Sequence, residues 1–174
     1  MTDTSDAVAP IVAQDGAHYG SFAALAPRSA GLVTAGPNHG PKNPYFYKSR
    51  PQYEKLSVGS VVNVKDRGAL GNGAHDDTEA IKSALSEATA DNLIYFPAGS
   101  YIITSTIIVP PHARITGQVW SQLVASGSYF GDIKSPKVML QVGNVGDKGT
   151  VEISDMLFTS TGALPGLILV EWNV

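Results

Sequence analysis

Residues 61–81 read VVNVKDRGALGNGAHDDTEAI, and this stretch decides the fold class. Its first five residues form a short run rich in β-branched side chains, which predicts a β-strand. A glycine-rich loop follows at residues 68–73, and Asp76-Asp77-Thr78 then supplies side chains that cap helices. The next apolar residues share one helical face, namely Ala80, Ile81, Ala84, Leu85 and Ala88. The stretch therefore predicts a strand, a loop and one amphipathic helix that ends near Asn92.

Beyond this helix the chain is a succession of short apolar runs separated by turn residues. We expect strands at residues 93–96, 101–104, 107–109, 113–116, 122–125, 138–142, 151–153, 156–158 and 167–172. Many of these runs are apolar at consecutive positions, which is typical of strands buried in a parallel stack. An antiparallel sandwich remains an alternative. One helix followed by strands favours an all-β fold, a parallel β-helix whose single N-terminal helix caps the first coil.

The chain before this strand has a different composition. Residues 1–59 are rich in Ala, Pro, Gly, Ser and Asn and show no sustained period, which predicts an extended linker that is partly disordered. Residues 60–174 form the predicted β-helix domain. Within the linker, residues 43–53 (NPYFYKSRPQY) are aromatic and basic. We expect this segment to be extended and to pack its rings onto a neighbouring domain.

Composition and charge exclude several classes of protein. With 43% hydrophobic and 16% charged residues in 174, the chain is apolar enough for one compact domain. A net charge of −3 argues against nucleic-acid or anionic-membrane partners. The chain has no cysteine, and its four histidines show no zinc-ligand spacing, so no metal or cofactor is predicted. The first 20 residues do not resemble a secretory signal, and no apolar run is long enough to span a membrane.

The strand, the Gly68-x-x-Gly71-x-Gly73 loop and the helix superficially resemble a phosphate-binding site. Asp76 and Asp77, however, put carboxylates at the helix start, where a pyrophosphate would have to bind. We therefore interpret the glycines as turn residues and one aspartate as a helix cap. The same capping role is preferred over a catalytic pair of adjacent aspartates.

Two motifs carry a resemblance to known families. Residues 62–81 and the later run 95–101 resemble the opening motif of pectate-lyase-like, right-handed parallel β-helix domains. A narrower set resembles fungal exo-β-1,3-glucanases of glycoside hydrolase family 55, at residues 47–54, 115–121, 125–130, 141–144, 151–159 and 169–173. Members of that family have two tandem β-helix domains joined by a linker. The resemblance implies that this chain contains the linker and the incomplete start of the second domain.

The resemblance also implies a function and partners. The intact parent would be a secreted enzyme that hydrolyses β-1,3-glucan from a chain end, with inversion, and releases glucose. The missing first β-helix domain would be contacted through the linker aromatics Tyr45, Phe46, Tyr47 and Tyr53. The family's general acid would lie beyond Val174, so we assign no catalytic residue and expect this chain alone to be inactive.

Inverting glycosidases need two groups, with carboxyls roughly 6.5–9.5 Å apart. The strand region has acidic residues at Asp132, Asp147, Glu152, Asp155 and Glu171, and sequence alone fixes no distance between them. Glu171 lies beside Trp172, and a carboxylate next to a sugar-stacking ring suits a substrate subsite. A structural role at a strand end is the competing interpretation of this pair.

Two other functions remain open at this stage. A pectin-active hydrolase or lyase of the same superfamily is one, although it should display clustered acidic or basic residues, which the sequence lacks. The other is a non-catalytic β-helix piece that binds glucan or is merely structural. Trp120 and Trp172, which we expect to be exposed, motivate the binding alternative.

Overall fold

The computed structural model describes residues 49–174, and contacts group Gln52–Val174 into one compact unit. The predicted domain boundary at residue 60 stays a prediction, and residues 1–48 of the predicted linker lie outside the described residues. The strands are β1 Val61–Asn63, β2 Asn72–Asp76, β3 Leu93–Phe96, β4 Ser100–Ile103, β5 Ile107–Val109, β6 Arg114–Ala125, β7 Lys137–Val142, β8 Glu152–Ser160 and β9 Leu167–Trp172. The helix α1 spans Thr78–Ser86, and short 3₁₀ turns lie at Val58–Ser60, Val64–Arg67 and Ser128–Phe130.

All the strand pairings in the described part of the chain are parallel, and they form two hydrogen-bonded sheets. The larger sheet bends within β6 and β8, so the β-helix has three faces, which we call sheets 1 to 3. Sheet 1 contains β1, β3 and the first parts of β6 and β8, while sheet 2 contains β2, β4 and their second parts. Sheet 3 contains β5, β7 and β9. The chain visits the sheets in turn, so residues 61–76, 93–109, 114–142 and 152–172 form coils 1 to 4. The predicted parallel β-helix is therefore confirmed, and the antiparallel sandwich is wrong.

The core is a column of side chains stacked from coil to coil. Residues in register share an inward position, namely Ile94, Ile115 and Ile153 in sheet 1, Tyr101, Leu123 and Phe158 in sheet 2, and Ile107, Leu140 and Val170 in sheet 3. The members from coils 2 and 3 are at most 3% exposed, whereas those from coil 4 are only partly buried. Burial of this column is the main favourable contribution to folding.

Helix α1 covers the coil 1 end of the column. Ile81 and Leu85 are buried and, with Phe96, line the interior beneath the helix. The helix ends at Ser86, earlier than the predicted end near Asn92. The Asn92 side chain explains the difference, because it donates to the Glu87 carbonyl at 2.7 Å and accepts from the Thr89 amide at 2.9 Å. These bonds hold a turn where further helix was expected.

The structure corrects two further predictions of secondary structure. Strand β2 occupies Asn72–Asp76, where the glycines predicted a loop. Its residues are exposed and polar and give no local strand signal, so the strand is stabilised by its pairing with β4. The two strands predicted at 113–116 and 122–125 form the single strand β6, which turns a corner between sheets 1 and 2. The strands predicted at 151–153 and 156–158 likewise form one strand, β8.

Asp76 and Asp77 divide the structural roles expected of them. Asp76 accepts from the Thr78 amide at 3.0 Å, and from the Thr104 hydroxyl at 2.7 Å. Burial raises its pKa, but these hydrogen bonds outweigh that effect and lower the pKa below its ordinary value. Asp77 is fully buried and binds the glycine loop instead, accepting from the amides of Leu70 at 2.7 Å and Gly71 at 3.1 Å. Both residues therefore have structural roles, and they are not assigned as a catalytic pair.

We expect Asp77→Ala to lower the free energy of unfolding by about 3 kcal/mol, because it removes the buried carboxylate that accepts from the Leu70 and Gly71 amides. Urea denaturation measures this change. Asp77→Asn keeps one acceptor oxygen and should lose less. The matched control is Asp91→Ala, since Asp91 is exposed, and it should change stability by less than about 0.5 kcal/mol. Equal effects of Asp77→Ala and Asp91→Ala would contradict the assigned role.

Candidate functional site

A network of carboxylates and amides lies where β7 and β9 end. We call it the Glu171 cluster, and its members are Gln141, Asn144, Asp147, Glu171 and Asn173. The Asn173 amide donates to Glu171 Oε1 at 2.8 Å and to the Gly143 carbonyl at 3.2 Å. Gln141 Nε2 donates to the same carbonyl at 3.0 Å. Coils 3 and 4 are therefore tied together at this end of sheet 3.

The tight turn after β7 positions the second carboxylate of the cluster. The backbone amide of Asn144 donates to Asp147 Oδ2 at 2.8 Å, and Nδ2 of the Asn144 side chain donates to the same oxygen at 3.3 Å. Gly143 allows this turn because its φ is 69°, and a Cβ there would lie 2.2 Å from the Val174 side chain. Sequence reasoning named Asp147 among the acidic residues but did not place it near Glu171, and it gave Asn144 no role in a site, although the Gly143-Asn144 turn signal was present.

Glu171 and Trp172 point to opposite faces of sheet 3, because successive side chains alternate along a strand. Glu171 is in register with Gln141, which pairs in turn with the half-exposed Ile108 on the outer face. Trp172 is in register with the buried Val142 on the inner face. The pair therefore does not form one surface, and a substrate contact by either residue stays a prediction.

The acidic residues of the strand region are spread over different parts of the β-helix. Glu152 begins β8 and lies 3.7 Å from the Arg114 guanidinium, while Asp132 accepts from the Lys134 amide in the turn before β7. Asp155 lies at the corner of β8 between sheets 1 and 2. Among these residues, Asp147 and Glu171 share one hydrogen-bond network. Their amide donors hold both carboxylates as acceptors, an arrangement suited to binding hydroxyl groups.

The segment before β1 reaches back to coil 4. The Tyr53 hydroxyl donates to Glu152 Oε2 at 3.2 Å, so this ring is held by a strand of its own domain. Burial and the neighbouring Glu152 raise the pKa of Tyr53 to about 12. Tyr45, Phe46 and Tyr47 lie outside the described residues. The predicted contact of these aromatics with another domain stays a prediction.

Within residues 49–174, no group of three or more His, Cys, Asp or Glu side chains converges as a metal site would require. In the same range, no helix has the length and apolar character needed to cross a membrane.

Comparison with known proteins gives a family match. A model of the family described as "Rhamnogalacturonase A/epimerase, pectate lyase-like" matches residues 61–153. Among solved structures, the Geobacillus virus E2 protein ORF18 superposes with a TM-score of 0.50 at 23% identity. That alignment covers 64% of this chain and 23% of the viral protein. It is a likeness of fold alone.

Curated fungal relatives are closer in sequence. The chain is 52% identical over 129 residues to a probable glucan endo-1,3-beta-glucosidase of Arthroderma benhamiae, covering 74% of this chain and 15% of the relative. It is 47% identical over 130 residues to the non-secreted LysM effector LysM19 of Penicillium expansum, covering 74% of this chain and 10% of the relative. It is 40% identical over 131 residues to a glucan 1,3-beta-glucosidase of Cochliobolus carbonum, covering 75% of this chain and 17% of the relative. The chain thus spans between 10% and 17% of the length of these relatives.

The Tyr53–Glu152 contact predicts a loss of stability at alkaline pH. Folding raises the pKa of the Tyr53 phenol from 10.0 to about 12, so its contribution is complete below pH 10.0 and is lost as the pH rises towards about 12. We expect Tyr53→Phe to lose less free energy of unfolding across this interval than the unmodified chain. Burial also raises the pKa of Tyr101 to about 12, so part of the alkaline loss of stability remains in both proteins. Urea denaturation at a series of pH values measures the difference, and parallel curves would contradict it.

Proposed function

The chain belongs to the pectate lyase-like family of β-helix proteins, and on that premise we propose that it is part of an enzyme that hydrolyses β-1,3-glucan. The family and the curated relatives identify it as a β-helix of the glycoside hydrolase type. The observation that carries the choice of substrate is the 52% identity, over 74% of this chain, to a probable glucan endo-1,3-beta-glucosidase. The whole enzyme's exo action, inversion and release of glucose are parts of the proposal.

The charges of the described residues support a neutral glucan over an acidic pectin. An acidic polymer needs basic side chains that can meet its carboxylates. Several basic residues are already paired within the chain, namely Arg67 with Glu87, Lys82 with Glu79, and Arg114 with Glu152. The family description names a rhamnogalacturonase, and this observation keeps a pectin-active enzyme as the second candidate.

We assign no catalytic residue in the described part of the chain. Hydrolysis with inversion needs a protonated acid and a group that activates water on the opposite face of the sugar. Asp147 and Glu171 share a network in which each carboxylate accepts a hydrogen bond from an amide group, an arrangement suited to binding hydroxyl groups. The proposal therefore gives the Glu171 cluster a role in binding, and this chain alone is inactive.

In this proposal Glu171 accepts a hydrogen bond from a glucan hydroxyl on the outer face of sheet 3. Asn173 fixes one oxygen of the carboxylate at 2.8 Å, which orients the group before the sugar arrives. Trp172 lies on the inner face of sheet 3, in register with the buried Val142, so the proposal gives it no contact with this sugar. A polymeric glucan is too large to cross a membrane unaided, so we place the parent enzyme outside the cell.

We expect the full chain to be retarded in affinity electrophoresis through gels that contain laminarin, a soluble β-1,3-glucan. Glu171→Gln should weaken this retardation by roughly threefold to tenfold, because a charged acceptor is replaced by a neutral one. The control is Asp132→Asn, since Asp132 lies in a turn at the other end of β7. Unchanged retardation of Glu171→Gln would remove Glu171 from the site.

Hydrolysis tests the catalytic half of the proposal. The full chain should release no glucose from laminarin, whereas a polypeptide that extends past Val174 into further coils should release it. Glucose release by this chain alone would show that its own carboxylates suffice. Activity of the longer polypeptide on polygalacturonate, and none on laminarin, would transfer the proposal to the pectin-active alternative.

A further inference from the structure

The corner where β6 passes from sheet 1 to sheet 2 is longer than the corners stacked on it. Four residues lie between Gly117 and Gln122, against the three residues 97–99 in coil 2. Four residues also lie between Thr116 and Ser121, against only Asp155 in coil 4. Because the strands on both sides keep their register, the extra residues are displaced outwards. We call residues Gly117–Trp120 the corner bulge.

The base of the corner bulge is held rigidly. The Ser121 hydroxyl is fully buried and lies within 2.8 Å of the Phe96 carbonyl and 2.7 Å of the Gln118 carbonyl. Gln118 Oε1 accepts from the Ala98 amide at 3.1 Å, which ties the bulge to coil 2. On the coil 4 side, a Cβ at Gly117 would lie 2.2 Å from the Asp155 carbonyl oxygen. The bulge is therefore fixed from both neighbouring coils.

Trp120 is exposed and has a strained backbone on this rigid base. Its φ is 76°, in the left-handed region that a bulky side chain rarely adopts. Its side chain is 74% exposed, so burial of the ring offsets little of that strain. Strained residues that the surrounding structure holds in place occur preferentially at functional sites. The combination of backbone strain and exposure at Trp120 therefore favours a ligand that contacts the ring.

The chemistry of the corner selects a neutral sugar. The residues of the bulge and of the coil 2 corner, 117–121 and 97–99, carry no charged side chain. Gln118 is exposed, and because its Oε1 already accepts from Ala98, its Nε2 group presents two donors to solvent. An exposed flat indole ring, with an oriented amide donor two residues before it in the same bulge, matches the apolar C–H face and the hydroxyl groups of a pyranose.

We propose that the corner bulge is a glucan-binding platform, separate from the Glu171 cluster, on which one glucose unit stacks against Trp120 and accepts a hydrogen bond from Gln118. The choice of glucan rests on the proposed function. The platform is on the junction of sheets 1 and 2, whereas the Glu171 cluster is on sheet 3. It therefore adds a second contact for a polysaccharide and needs no part in the reaction.

The two tryptophans of the chain allow each site to be followed by itself. Trp172→Phe leaves Trp120 as the sole tryptophan, and its fluorescence should change on titration with laminarin. Trp120→Phe leaves Trp172, which reports on the end of sheet 3. A response of Trp172 without any response of Trp120 would overturn the platform and leave the proposed function standing. Silence of both tryptophans, with no retardation of the full chain in laminarin gels, would overturn both.

Trp120→Gly separates binding from structure. Glycine removes the ring and accepts a φ of 76° without strain, so the melting temperature should rise by about 2–4 °C. Laminarin binding to this variant should weaken at least about tenfold. Ile133→Ala is the control, since Ile133 is also an exposed apolar residue but lies outside the corner bulge, and it should bind normally. Undiminished laminarin binding by Trp120→Gly would overturn the proposal. So would a fluorescence titration of Trp120 that shows tighter binding of polygalacturonate than of laminarin.

Discussion

The structure depends on the register between successive coils. Each strand hydrogen-bonds only to the same strand of the coils before and after it, so one misplaced coil would shift every later side chain. Coil 1 sets that register, and it has little apolar surface of its own. Asp77 fixes the glycine loop to the start of α1, and α1 in turn covers the column with Ile81 and Leu85. A buried carboxylate thus determines where the first coil lies.

A fixed register explains where the unusual residues are found. The strands cannot absorb differences in length between coils, so extra residues accumulate at corners and turns. The corner bulge at Gly117–Trp120 is one such place, and the Gly143–Asp147 turn is another. Both carry exposed side chains on a rigid frame, which is the arrangement that binding sites require. Candidate functional residues in this protein are therefore expected at the corners more than in the sheets.

The sequence predicted the repeated elements well because burial leaves a local signal. Strands β3, β5 and β9 have their predicted bounds, since consecutive apolar residues between turn residues mark them. Strand β2 was missed because its residues are exposed and its order comes from pairing with β4, nearly 30 residues away along the chain. The faces of Glu171 and Trp172 could not be predicted for the same reason. Alternation follows from the sequence, but which face is inward depends on the register with Val142.

Opposite orientation of adjacent strand residues limits how a β-helix can build a sugar-binding site. A carboxylate and a ring that are neighbours in sequence are separated by the sheet, so a shared subsite has to combine residues from different coils or from a corner. At the end of sheet 3, Gln141 of coil 3 and Glu171 of coil 4 satisfy this condition, since they are paired in register on the outer face. At the corner bulge, Gln118 and Trp120 are two residues apart, so alternation does not separate them, and both are exposed. The positive φ of Trp120 is the local strain that accompanies the extra residues at this corner.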